Sequence, residues 1–130
     1  MKYIVLLGRI FYSLIFITSA LGHFSQATIE YAANFGVPMP ELLVPCAGIM
    51  AFLGGFSILI GYKARLGALL LILFLVPVTL TMHQFWGLAD PMMAGMQKVM
   101  FFKNLSMLGS ALLITYFGSG PLSVDDVFPR

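Results

Sequence analysis

The stretch Ile58-Leu59-Ile60-Gly61-Tyr62-Lys63-Ala64-Arg65-Leu66-Gly67-Ala68-Leu69 decides the fold. Two apolar blocks, Leu42–Tyr62 and Leu66–Trp86, meet across Lys63-Ala64-Arg65 and nothing longer. Bilayer hydrocarbon is about 30 Å thick, so a helix of roughly 20 residues at 1.5 Å each crosses it. Both blocks have that length. So short a polar break permits one arrangement: a tight antiparallel pair of membrane-spanning helices.

The same pattern extends in both directions. Tyr3–Phe24 precedes the pair and Val99–Gly118 follows it, giving four spans and an even, antiparallel four-helix transmembrane bundle. The chain is 60% hydrophobic and 9% charged. A soluble domain carries about 25% charged residues, so this one has too few to cover a water-facing surface. A single domain over residues 1–130 follows, since short loops leave no room for another. The net charge of +2, with no basic run, argues against nucleic acid. One cysteine, Cys46, excludes an internal disulfide and a two-cysteine redox pair; among apolar neighbours it reads as a small buried hydrophobe. Met1-Lys2, an apolar run and Thr18-Ser19-Ala20 imitate a signal peptide, but Arg9 interrupts the run, and the block is read as a retained first span.

Between the first two spans, Ser25–Gly36 reads as a short interfacial helix with Ser25 as N-cap and Gly36 as its stop. Val37-Pro38-Met39-Pro40 then forces an extended stretch. Gly48, Ala51 and Gly55, with Gly54, Ser57 and Gly61 beside them, form small-residue stripes that let helices approach closely in lipid. Pro77 removes one helical hydrogen bond and is expected to kink the third span, and Gly87–Gln97 reads as a loop. Basic residues set the orientation. Lys2, Lys63, Arg65 and Arg130 share one side, and Glu30, Glu41 and Asp90 the other, with Lys98. Both termini are therefore expected in the cytoplasm, and the chain in the cytoplasmic (inner) membrane.

Polar groups inside a span are costly and mark candidate sites. Arg9, Ser13, Phe16, Ala20 and His23 recur at helical spacing, a stripe unsuited to lipid, although Arg9 lies within snorkelling reach of the headgroups. His23 and His83 end the first and third spans on the same side and could share an outer pocket. Two histidines fall short of a transition-metal ligand set, so neither a metal site nor haem is expected. Imidazole titrates near neutral pH, which suits proton handling or a quinone hydrogen bond. In the fourth span, Asn104, Leu108, Ala111 and Thr115 form one stripe and Lys103, Ser106 and Ser110 the next; both are expected to face the bundle. The candidate ligand-binding set is therefore His83, Lys103, Asn104, His23 and Arg9. No complete catalytic motif is present.

Several segments together resemble the DoxX family of small bacterial membrane proteins. They are Leu6-Leu7-Gly8-Arg9, Phe35-Gly36-Val37-Pro38-Met39-Pro40, Gly54–Arg65, Met82-His83-Gln84-Phe85-Trp86, Phe102–Gly109 and Gly118–Asp125. The resemblance implies a four-helix bundle serving as a redox-linked or quinone-associated subunit beside another membrane or membrane-associated redox protein. Some relatives look instead like assembly or trafficking helpers, so a non-catalytic interaction partner is the alternative. Besides the lipid bilayer, a second copy of the chain is a further potential partner. Members of that family commonly carry an acidic residue in the second span where this chain has Ala51, so a mechanism pairing that carboxylate with Arg9 or Lys103 lacks its acid here.

Overall fold

A computed structural model describes residues 1–129. Its helices are α1 (Lys2–Ala20), continued by a 3-10 turn at Leu21–Phe24, then α2 (Gln26–Asn34), α3 (Pro40–Ile60), α4 (Ala64–Met82), α5 (Pro91–Phe117) and α6 (Val124–Val127). Four of these segments, Lys2–Phe24, Pro40–Ile60, Ala64–Met82 and Pro91–Phe117, are long and apolar enough to cross a membrane. No strand occurs among the described residues. Arg130, one of the basic residues used to orient the chain, lies outside them.

Local chemistry explains the breaks. At α2, Ser25 Oγ accepts from the Thr28 amide as the N-cap, and the amides of Gly36 and Val37 donate back to the carbonyls of Ala33 and Ala32. That is the Schellman closure expected of a left-handed glycine. The end of α3 repeats it: Gly61, at φ 69°, donates to Ile58 and Tyr62 donates to Ser57. Any side chain at Gly61 would also strike Ser123. The helical hairpin therefore turns where the sequence places it.

The fourth spanning helix differs from expectation. It starts at Pro91 rather than Val99, so most of the anticipated Gly87–Gln97 loop is helical. Asp90 Oδ1 accepts from the Met92 amide and Pro91 occupies the first turn, where its missing N–H costs nothing. With 27 residues, α5 is about 40 Å long. Laid along the bilayer normal, that length exceeds about 30 Å of hydrocarbon. The third span stops at Met82 rather than Trp86, because His83 leaves helical geometry at φ −121°, ψ 33°.

Packing runs in a row: α1 against α3, α3 against α4, α4 against α5. The seam between α3 and α4 is the tightest. A Cβ at Gly54 would lie 2.8 Å from the Gly67 carbonyl oxygen, and one at Gly67 would lie 2.9 Å from that of Gly54. Phe16, Ile58, Leu71 and Leu75 fill the core around Ala51, Ala68 and Ala111. The row closes where the Tyr12 hydroxyl of α1 donates to the Met107 carbonyl of α5 at 2.8 Å. Many large apolar side chains point outward, as befits a lipid-facing surface.

Candidate functional site

Both ends of the bundle are built from the predicted polar residues, but not in the predicted combination. At the end carrying both termini, Arg9 is 5% exposed and faces inward with Ser13, Phe16 and Ala20. Its Nη1 donates to the carbonyls of Ser119 and Pro121, and its Nη2 donates to that of Leu122. The segment after α5 thus folds across the bundle end as a strap. Asp125 fastens the other side. Its carboxylate accepts from the Lys63 and Ala64 amides at the start of α4 and from the Ser119 hydroxyl, and its amide donates to Gly61. Arg9 therefore faces the bundle and reaches its end, where it holds the strap.

At the far end, a cavity of about 370 Å³ opens between the 3-10 turn, α2, α3 and α4. Phe74, Val44, Met50 and Met82 make its walls apolar; His23, Thr28 and Thr81 supply the polar atoms. Cys46 also borders it and, contrary to the buried position expected of it, is exposed, because its helix position turns toward the bundle surface. The His23 ring packs against Phe74 with centroids 5.6 Å apart. His23 Nδ1 lies 3.0 Å from the Ser19 carbonyl oxygen. A carbonyl can only accept, so Nδ1 donates in this bond and Nε2 is the ring nitrogen not used by it. Both threonine hydroxyls already have protein partners, Thr81 donating to Pro77 and Thr28 lying 2.9 Å from Ser25 Oγ. Among the described residues, no group of three or more His, Cys, Asp or Glu is placed to hold a metal ion.

His83 does not share this cavity. Its Nδ1 lies 2.9 Å from Gln97 Oε1, and Gln97 Nε2 donates to the Tyr31 hydroxyl at 3.3 Å. The relay ties α2 to α5 and to the end of α4. Gln97 is the residue missed by reading Gly87–Gln97 as a loop, and with it the link to Tyr31. Once Asp90-Pro91 is taken as a helix start, Gln97 falls on the same face as Asn104 and Ala111, and all three are buried.

The two candidates in α5 separate. Asn104 is 4% exposed and its carboxamide makes no hydrogen bond among the described residues. The stripe it heads does face the bundle. Lys103 is exposed and reaches only Met100 Sδ, at 3.4 Å. Its stripe turns toward the surface, because neighbouring positions on a helix are about 100° apart and Asn104 takes the inward one.

A family model described as DoxX matches residues 4–84. The chain belongs to the DoxX family. Inner membrane protein YphA of Escherichia coli (strain K12) is 30% identical over 124 residues, 94% of this chain and 88% of that protein. Inner membrane protein YqjF of the same organism is 31% identical over 123 residues, covering 93% and 88%. ER-derived vesicles protein ERV29 of Saccharomyces cerevisiae is 32% identical over 78 residues, 60% of this chain but 25% of that protein. No solved structure matches significantly. Every residue bordering the far-end cavity lies within the DoxX match, whereas Gln97, Lys103, Asn104 and the strap lie beyond it. Ala51, where the resemblance led us to look for an acid, is fully buried in the core of this DoxX protein.

Proposed function

We propose that this DoxX protein is a quinone-associated, redox-linked membrane subunit that takes a lipophilic ring into the far-end cavity. The observation that carries the reading is the cavity itself, apolar, about 370 Å³, with His23 holding one ring nitrogen in reserve. Pockets for small ligands start at about 300 Å³ and pair apolar walls with a few placed polar groups. Met50 and Met82 supply polarisable sulfur and Phe74 an aromatic face, both favourable against a quinone ring. The unprotonated His23 Nε2 accepts a hydrogen bond from a quinol hydroxyl, and the protonated imidazolium donates one to a quinone carbonyl. His83 and Gln97 then act at a distance by holding α2, which forms one wall. Asn104 is a second reserve of hydrogen bonds deeper in the bundle.

The inner-membrane relatives and the basic residues Lys2, Lys63 and Arg65 support an inner-membrane location with both termini in the cytoplasm. The cavity then opens toward the outer leaflet, and a membrane redox protein is the partner that would deliver or remove electrons. The alternative, a non-catalytic assembly partner, needs a free docking face. The glycine stripes do not supply it, since Gly54 is spent against α4 and Gly61 against the strap. Native mass spectrometry of protein extracted gently from its own membrane separates the two. Stoichiometric quinone that His23→Phe removes supports the first reading; a stoichiometric protein partner with no small molecule supports the second.

A further inference from the structure

Four of the chain's nine methionines, Met92, Met93, Met96 and Met100, fall within nine residues of α5. The first three lie ahead of the apolar block that begins at Val99, between Asp90 and Lys98. Met92 is 74% exposed, Met93 45% and Met96 56%. Neither the far-end cavity nor the strap uses them. Large apolar side chains gathered on a surface mark a binding function when they are contiguous, and these three are. At about 100° per residue, Met96 stands one turn beyond Met92 and Met93 and between them around the helix axis. Helical side chains lean back over the preceding turn, which carries the Met96 thioether toward the other two. Cβ atoms at these spacings are about 5–6 Å apart, so three flexible thioethers can converge on one ion.

The donor set narrows the ligand. Neutral thioethers are soft and select Cu(I)-like ions, whereas Mg²⁺ and Ca²⁺ take oxygen ligands and Zn²⁺ takes imidazole, thiolate or carboxylate. The surroundings suit a cation. Lys98 lies on the opposite side of the helix, its Nζ 6.0 Å from the centre of the Phe85 ring. Asp90 gives Oδ1 to the Met92 amide, and its second oxygen has no partner among the described residues. The positive end of the helix dipole opposes a cation here, and the Asp90 carboxylate offsets it. Met100, one turn further along the same face, already shows a thioether turned to positive charge: its Sδ accepts from the Lys103 ammonium at 3.4 Å. That contact occupies Met100 and leaves Met92, Met93 and Met96 as the ligands.

We propose that Met92, Met93 and Met96 bind one soft monovalent metal ion, Cu(I) or Ag(I), on the first two turns of α5. The ion staples the turns that carry Gln97 toward Tyr31. The site shares no residue with the quinone cavity and is independent of that reading.

Silver(I) is the probe, because it matches Cu(I) in charge and softness and needs no reductant. The full chain, in chloride-free mild detergent with Cys46 capped by N-ethylmaleimide, should take up one Ag(I) saturably by isothermal titration. Affinity should stay flat from about pH 7.5 to about pH 5.5, since thioethers carry no proton there, whereas a histidine site weakens as its imidazole protonates. Met→Leu keeps volume, apolarity and helix propensity and removes only the sulfur. Each of Met92→Leu, Met93→Leu and Met96→Leu should weaken Ag(I) about tenfold or more, and the triple variant should abolish saturable binding with its unfolding midpoint kept. A patch that only contacts lipid or protein is indifferent to that exchange. If the triple variant unfolds, the three single variants decide the matter. No saturable binding, affinity that falls with pH, or affinity unchanged by the leucine substitutions overturns the proposal.

Discussion

Replacing Arg9 by methionine should release the strap while leaving the four spans in place. The Arg9 fork donates to three carbonyls, those of Ser119, Pro121 and Leu122. Hydrogen bonds from a charged donor contribute about 1.5–3 kcal/mol each, which sets a ceiling near 4.5–9 kcal/mol. Two effects lower it. Burying the guanidinium costs several kcal/mol that methionine does not incur, and the freed carbonyls sit at a bundle end where water can reach them. A net loss of about 2–4 kcal/mol remains, borne by strap docking. Amide exchange reads this directly. The Asp125 amide donates to Gly61, and the Lys63 amide donates to the Asp125 carboxylate at 3.0 Å. At about 1.4 kcal/mol per tenfold, these two amides should exchange about thirty- to several-hundred-fold faster in Arg9→Met. Arg9→Lys should fall between, since an ammonium cannot reproduce the planar fork. Unchanged exchange at both amides, with an unchanged unfolding midpoint, would mean that Arg9 serves only as a snorkelled anchor.

Three other substitutions probe the remaining assignments. Gln97→Leu breaks the relay from His83 to Tyr31 and should cost about 1–2 kcal/mol, seen as faster amide exchange across Gln26–Asn34; protection equal to wild type would remove the relay from the account. Gly67→Ala places a Cβ 2.6 Å from Ser57 Oγ and 2.9 Å from the Gly54 carbonyl oxygen. It should destabilise the α3–α4 hairpin by about 1–3 kcal/mol, measured by denaturant unfolding in mixed micelles, where a neutral result would contradict the close seam. Lys103→Gln should change stability by no more than about 0.5 kcal/mol and leave ligand retention intact. A large effect on either would return Lys103 to the bundle interior.

Elements set by strong local chemistry were readable from the chain alone. Lys63-Ala64-Arg65 between two apolar blocks could only be a hairpin, and Ser25 and Gly36 bracketed α2 through their own hydrogen bonds. The Arg9, Ser13, Phe16, Ala20 stripe pointed to an inward face because an arginine and a serine in register are costly against lipid. What Arg9 touches was not legible: its partners are backbone carbonyls more than a hundred residues away, and carbonyls have no sequence signature. The start of α5 was misplaced because hydropathy marks apolar length and not helix length, and residues 91–98 extend the helix ahead of the apolar block. That shift hid Gln97, and with it the partner of His83. Lys103 and Asn104 are adjacent, so periodicity could not send both inward; the carboxamide, cheaper to bury than an ammonium, went in. The cavity was invisible for a different reason. Its walls come from four elements, and an empty volume between them is a property of packing that no spacing rule reports.

Cys46 offers the most direct measurement. It is the chain's single cysteine, and it borders the far-end cavity while also being exposed on the bundle surface, so it is the change in its alkylation rate by N-ethylmaleimide on adding a ligand, not the rate itself, that reports whether the cavity is filled. A short-chain ubiquinone should slow labelling in a saturable way, an alkyl amphiphile of equal length without the ring should not, and His23→Phe should weaken the ubiquinone protection about tenfold, the equivalent of one hydrogen bond of about 1.4 kcal/mol. Labelling that ignores ubiquinone, or protection given equally by the ringless amphiphile, would contradict a quinone site in this bundle.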